Sequence, residues 1–204
     1  CNTKLNVVLN GETIKMTKFA DYCNLYLSAR PPPVLNAKGV ADIATERIED
    51  SEGRRRWEIA VALSDGDFQQ ASFVNSISTA RGGTHVTYVT KKITDFLEPK
   101  IKKKNRGAVI KPQQIRSHIA IFINCLINNP EFDSQTKETL KSPVSSWGTK
   151  CELSEEFLKK IAKLPIIEQV LLANTSRTEG ALAKTSGGKK QRLTGMAKLD
   201  DANN

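Results

Sequence analysis

The chain has 204 residues, 39% of them apolar, and 31 Lys and Arg against 22 Asp and Glu give it a formal charge of +9. That length holds one good-sized domain with an appendage, or two small domains, and the apolar share suits a core and not a membrane protein. The longest apolar run, Ile119 to Ile127, is broken by Asn124 and falls well short of the roughly 20 residues that span a bilayer, so no membrane partner is expected.

Cys1-Asn2-Thr3-Lys4-Leu5 carries no signal-peptide pattern and reads as the middle of a longer chain. Lys4 to Leu9, Asn10-Gly11 and Glu12 to Met16 predict a hairpin, because Asn-Gly accepts the positive φ angles of a two-residue turn. Thr17 is placed to cap a helix over 18–27, which Arg30-Pro31-Pro32-Pro33 stops. Residues 56–64 alternate: Trp57, Ile59, Val61 and Leu63 face one way, Glu58, Ala60, Ala62 and Ser64 the other. That pattern predicts a half-buried strand, with 40–48 as its partner. A further strand over 69–76 follows the Asp65-Gly66-Asp67 turn. Gly82-Gly83 leads into a helix over 84–105 whose apolar stripe is Val86, Val89, Ile93, Phe96, Leu97 and Ile101, with Pro99 expected to kink or restart it. Residues 118–127 are apolar on both faces, as a strand central in a sheet requires. Strand, helix and strand make a β-α-β unit inside an otherwise antiparallel α+β domain. Leu153-Ser154-Glu155-Glu156 opens a second kind of structure: Ser154 caps a helix, two acids occupy its first turn, and Leu153 is placed to staple to Leu158. A short helix over 166–173 follows, and the polar, Gly/Ser/Lys-rich stretch 174–190 reads as a linker.

Charge and chemistry are unevenly placed. Between Lys91 and Lys111 eight Lys or Arg face only Asp95 and Glu98, a cationic strip that favours polyanions. Lys102-Lys103-Lys104 lies within it. The four cysteines, 1, 23, 125 and 151, form no Cys-x-x-Cys, and neither His85 nor His118 stands at ligand spacing from one. They read as free thiols of a reducing compartment, with no metal site. Phe132-Asp133-Ser134-Gln135-Thr136-Lys137 is a polar loop after the buried strand. If the loop is extended, Gln135 and Lys137 share a face and present a directed donor and a point charge to one anion. Chemistry alone makes such a loop an ordinary surface turn more often than a site.

Five ordered motifs change that weighting: Phe132 to Lys137; Gln69-Gln70-Ala71-Ser72-Phe73-Val74-Asn75-Ser76-Ile77; Gly82-Gly83-Thr84-His85-Val86; Cys151-Glu152-Leu153-Ser154-Glu155; and Lys198-Leu199-Asp200-Asp201-Ala202-Asn203. In this order and spacing the chain resembles the transducer segment of eukaryotic-type type IIA DNA topoisomerases. The likeness covers most of 55–163 and the last few residues, and is looser over 1–54 and 164–190.

The resemblance implies an α+β domain with a left-handed β-α-β crossover, like the second domain of a ribosomal small-subunit protein, where general statistics favour a right-handed one. It implies a transducer domain over 1–145, a small helical connector over 146–173 and a flexible linker over 174–204. It further implies that Lys137, in a catalytic role, reaches the γ-phosphate of ATP bound with Mg in a preceding domain, with Gln135 and Thr136 beside it. Lys102, Lys103 and Lys104 would face DNA. The implied partners are DNA, the ATP-binding and cleavage-core domains of the same parent chain, and a second copy in a homodimer. The implied location is the nucleus, and the segment alone is expected to be inactive and without cofactor. Arg30-Pro31-Pro32-Pro33 and Pro99 depart from the family pattern. Two rivals are weaker. A freestanding basic nucleic-acid-binding module wants stacking aromatics, and 91–111 offers only Phe96. A small-molecule kinase wants a richer Gly loop than Gly82-Gly83.

Overall fold

In the computed structural model of the chain the described residues are 7–14, 16, 18–29, 42–105 and 110–186, and beyond 177 only their backbone is described. Two compact units divide the chain, 1–171 and 172–204. The first opens with the predicted hairpin: β1 (Val7–Leu9) pairs antiparallel with β2 (Glu12–Ile14) around Asn10 and Gly11, at φ 52° and 83°. These are the angles of the mirror-image turn whose twist matches that of paired strands. Then follow α1 (Phe19–Ser28), β3 (Ile43–Glu49), β4 (Arg55–Leu63), β5 (Gln69–Val74), β6 (Ile77–Ser78) and β7 (Gly82–Gly83). The long helix α2 (Thr84–Lys104), α3 (Pro112–Arg116), β8 (Ile119–Cys125), β9 (Thr139–Leu140), α4 (Glu155–Lys163) and α5 (Ile166–Ser186) complete the described order.

The main sheet has the order β3-β4-β8-β5-β6. β8 is antiparallel to β4 and parallel to β5, so the chain crosses over between β5 and β8 through α2 and α3. This is the expected β-α-β unit. All seven residues of β8 are buried, as its two-faced apolar sequence requires.

β4 corrects the half-buried expectation. Its large residues Trp57, Ile59 and Val61 join the main core with Val89, Ile93, Leu97, Ile119, Ile121 and Ile123. Its small residues Ala60 and Ala62 are buried as well, in a second cluster with Phe19, Cys23, Ala120 and Phe122. Alanine on that face admits a helix at close range, so α1 covers what reads in sequence as a solvent face. Each fully buried Ile or Phe side chain on these two faces contributes about 1.5–3 kcal/mol relative to exposure. The thiols of Cys23, Cys125 and Cys151 are buried among these side chains. Burial pushes the first two well above the usual thiol range and the third up to about 12.

Three local expectations also change. Of the kink or restart expected at Pro99 the restart does not occur, since α2 is one helix through it. Helix α1 starts one residue later than predicted, with Lys18 at its N-cap and the Lys18 backbone N–H donating to Asp21 Oδ2 at 2.8 Å. Residues 174–186, assigned by composition to a flexible linker, are helical, since α5 runs to Ser186 and not to 173. Alanine, leucine, glutamate and lysine in that stretch are strong helix formers, and polarity does not oppose a helix. The remainder of the expected linker, the 30–33 loop and the Thr17 cap lie outside the described residues. At α4 the expected cap is present: the Ser154 hydroxyl accepts from the Phe157 N–H at 3.1 Å. Among the described residues no helix is long and apolar enough to cross a membrane.

Candidate functional site

The polar loop leaves the sheet where β8 ends and is tied down at several levels. Asn75, at φ 49°, clamps the exit: its side-chain amide donates to Ile127 O and accepts from the Ile127 N–H, both at 2.9 Å. Phe132 bridges Leu140, the Asp133 N–H donates to Thr139 O at 3.1 Å, and the Lys141 N–H donates to Glu131 O at 2.8 Å. The buried Ser142 closes the base. Its hydroxyl accepts from the Glu131 N–H at 2.7 Å, and its carbonyl accepts from Thr84 Oγ1 at 2.8 Å and from Trp147 Nε1 at 3.1 Å. Thr84 is the first residue of α2, so the loop is bolted to the start of the long helix.

Gly82-Gly83 is the second bolt. β7 pairs parallel with β9, and the approach is so close that a Cβ on Gly83 would stand 2.3 Å from Leu140 O. Gly83 sits at φ 134°, a conformation only glycine adopts without strain. The glycines serve backbone contact, and β9 fills the space a phosphate would need beside Gly83. The Arg81 N–H donates to Glu138 O at 3.0 Å, and the Arg81 and Glu138 side chains pair at 3.5 Å.

On this base Gln135, Thr136 and Lys137 are all exposed. The Lys137 N–H donates to Ser134 O at 3.1 Å, closing a turn, and Lys137 takes φ 56°. The loop is therefore not extended, and the shared-face geometry expected of Gln135 and Lys137 is replaced by a turn. Ser134 Oγ and Thr136 Oγ1 are 2.7 Å apart, and the Thr139 side chain holds the Asp133 carboxyl below its ordinary range. Lys137 forms no ion pair among the described residues, while the neighbouring Glu138 is engaged by Arg81. What the turn presents is a single free ammonium on a fixed backbone.

Beneath the bolts lies a buried polar cluster that sequence reasoning did not assemble. Ser72 Oγ is 2.6 Å from Thr79 Oγ1 and 2.8 Å from Gln70 Oε1, and Thr79 Oγ1 is 3.3 Å from His85 Nε2. Burial alone lowers the His85 pKa to about 4, so the ring is neutral at pH 7. His85 is thus a packed residue, 0% exposed. Nothing in residue type or spacing assigns Ser142, Asn75 and Arg81 an anchoring role: Asn75 and Arg81 meet backbone groups more than fifty residues away, and the Ser142 hydroxyl meets the Glu131 N–H across the loop.

Lys102, Lys103 and Lys104 lie at the other end of α2, about 30 Å along a helix of this length. All three are exposed in its last turn, where cations meet the helix dipole favourably. Lys102 pairs with Glu98 at 2.7 Å, and Lys103 and Lys104 have no ion pair among the described residues. The rest of the strip is less free. Lys92 donates to Cys151 O at 3.1 Å and covers Tyr88, and Lys100 covers Phe96.

Residues 19–186 match the family described as DNA gyrase B. The chain is 46% identical over 198 residues to DNA topoisomerase 2 of Arabidopsis thaliana, covering 97% of this chain and 13% of that protein. Among solved structures it resembles the ATPase and transducer domains of DNA topoisomerase II from Balamuthia mandrillaris, with a TM-score of 0.71 and 39% identity over 88% of this chain and 42% of that one. The ATPase region of Saccharomyces cerevisiae topoisomerase II is similar at a TM-score of 0.65 and 41% identity, covering 81% of this chain and 40% of that one. The chain thus spans a small part of the curated relatives it matches.

Proposed function

The chain belongs to the DNA gyrase B family, and from that premise we propose that it is the transducer segment of an ATP-dependent type II DNA topoisomerase, an isomerase acting on DNA in the nucleus as a homodimer. The observation that carries the reading is the free Lys137 ammonium on a loop bolted to both the sheet and the start of α2. A lysine built for solubility needs no such base. The chain's similarity to part of a structure that holds both ATPase and transducer domains supports the same reading.

ATP with Mg, held in a preceding domain of the parent chain, would supply a γ-phosphate as the partner of this ammonium. Lys137 fits that role as a compact point charge, and Gln135 beside it adds a directed neutral donor. Thr136 limits the turn through its contact with Ser134. Because the loop is tied to Thr84 and Gly83, a force on Lys137 acts on the N-terminal end of α2. Loss of the charge contact after hydrolysis releases that force, which is switching by loss of an ion contact. At the far end Lys102, Lys103 and Lys104 face the passing DNA. The β5-to-β8 crossover is left-handed in this reading, and the transducer domain ends at 145.

Calorimetry tests the division of labour. One lysine does not offset the entropy of binding a nucleotide, so the 204-residue chain should show no ATP binding, and the chain joined to its family's ATP-binding domain should bind it. Micromolar binding by the 204 residues alone would give the nucleotide site to this segment and overturn the coupling role.

A further inference from the structure

Between α2 and α3 lies a cavity of about 320 Å³ that neither the loop nor the lysine cluster uses. Thr87, Thr90, Lys91 and Asp95 line it from α2, and Gln113 and Arg116 from α3. Thr90 is only 3% exposed, yet its hydroxyl has no hydrogen-bond partner among the described residues. Arg116 Nε is likewise buried and unpartnered. Its guanidinium lies over the Phe68 ring, 4.2 Å from the centroid, which limits the orientations of the fork. Neither Lys91 nor Arg116 forms an ion pair among the described residues, although Asp95 shares the cavity.

Buried polar groups are ordinarily satisfied, so two unsatisfied donors at one cavity ask for an acceptor. Two cations against one carboxylate give that acceptor a negative charge. A stacked guanidinium offers two parallel donors that match phosphate oxygens, the ammonium adds a point charge, and the Thr90 hydroxyl supplies a neutral donor. We propose that the α2–α3 cavity is a phosphate-binding site, taking a phosphate of a nucleic-acid backbone or of a small phosphorylated ligand. Asp95 opposes it, so the binding is weak and salt-sensitive.

Inorganic pyrophosphate is the probe, and the melting temperature of the 204-residue chain is the readout. A ligand that binds only the folded state raises it saturably. Thr90→Val keeps shape and removes the donor, and with no buried hydroxyl left unpaired it folds at least as well. It should lose most of the pyrophosphate-induced rise, as should Arg116→Gln, while Lys102→Ala/Lys103→Ala/Lys104→Ala keeps it. Duplex DNA separates the two sources. If a backbone phosphate is the natural occupant, Thr90→Val weakens DNA binding several-fold and pyrophosphate competes with DNA. If a small phosphate is, DNA binding is unchanged by Thr90→Val while the pyrophosphate response still depends on Thr90 and Arg116. Absence of a pyrophosphate response in the unaltered chain, or a response that both variants retain undiminished, overturns the site.

Discussion

The two ends of α2 handle positive charge in opposite ways. At its N-terminal end Gly83 touches the Leu140 backbone, Thr84 holds Ser142, His85 is fully buried, and the whole assembly presents one ammonium, that of Lys137. At its C-terminal end three lysines stand exposed with one i,i+4 pair among them. A positioned charge acts through geometry, so it is sensitive to the backbone around it and indifferent to how many other charges are present. A cluster acts through number and is screened by salt. One end suits a contact with a single fixed anion, the other a surface along which anions pass.

The sharpest way to break the first end is Gly83→Ala. The new Cβ meets backbone that has no room to give, at a φ only glycine tolerates, so the cost should be about 2–5 kcal/mol of unfolding free energy in denaturant titrations. Gly66→Ala is the control. Gly66 also has positive φ but open space around it, and the loss should be about 1 kcal/mol. A Gly83→Ala chain as stable as Gly66→Ala would mean the bolt is loose.

Next in size is Lys137→Ala in a chain joined to its family's ATP-binding domain. Losing a charge-assisted hydrogen bond worth roughly 1.5–3 kcal/mol should slow hydrolysis about ten- to a hundredfold, with the melting temperature unchanged because the side chain is exposed. Lys137→Arg should restore only part of the rate, and Gln135→Ala should cost less than Lys137→Ala. Hydrolysis at the unaltered rate in Lys137→Ala would leave the loop a turn and nothing more.

Acid separates the ends more gently. His85 is held near pKa 4 in the folded chain against about 6.5 unfolded, so between those values the unfolded state binds more protons. Its contribution is complete above pH 6.5 and is lost as the pH falls toward 4. From 6.5 to 5 the loss is about 1–2 kcal/mol. His85→Gln should flatten that slope in pH-dependent unfolding. An unchanged slope would place the titrating group elsewhere.

The smallest effect per residue belongs to the lysine cluster. Lys102→Ala/Lys103→Ala/Lys104→Ala should lower the salt dependence of DNA binding by a slope of about 2–3, since each neutralised phosphate contributes close to one unit. An unaltered slope would move the DNA surface off this helix end.

Much of this architecture is written locally. The Asn10-Gly11 turn, the Ser154 cap, the two-faced β8 and the stripe of α2 all follow from rules that act within a few residues, and all stand where the pattern puts them. The covered face of β4 was not legible, because Ala60 and Ala62 suit a solvent face and a helix-packed face equally, and only α1 decides. The helical state of 174–186 was hidden by Gly/Ser/Lys composition that a helix also tolerates. For the candidate site, the exposed polar loop at Gln135-Thr136-Lys137 could be read, but not the turn at Lys137. The Asn75 side chain, the Arg81 N–H and the Ser142 hydroxyl bind backbone groups, which leave no trace in side-chain pattern.

The buried thiols have a use as clocks. Cys23 lies on the buried side of α1 against one face of the sheet, and Cys125 in the main core on the other. With their ionisation suppressed by burial, neither is available to an alkylating reagent until its own layer parts from the strands. In a Cys1→Ser chain the rate at which each thiol is modified therefore times the opening of one layer. Equal rates would mean the two layers separate in a single cooperative event, and a faster Cys23 would mean that α1 breathes while the α2 side stays shut.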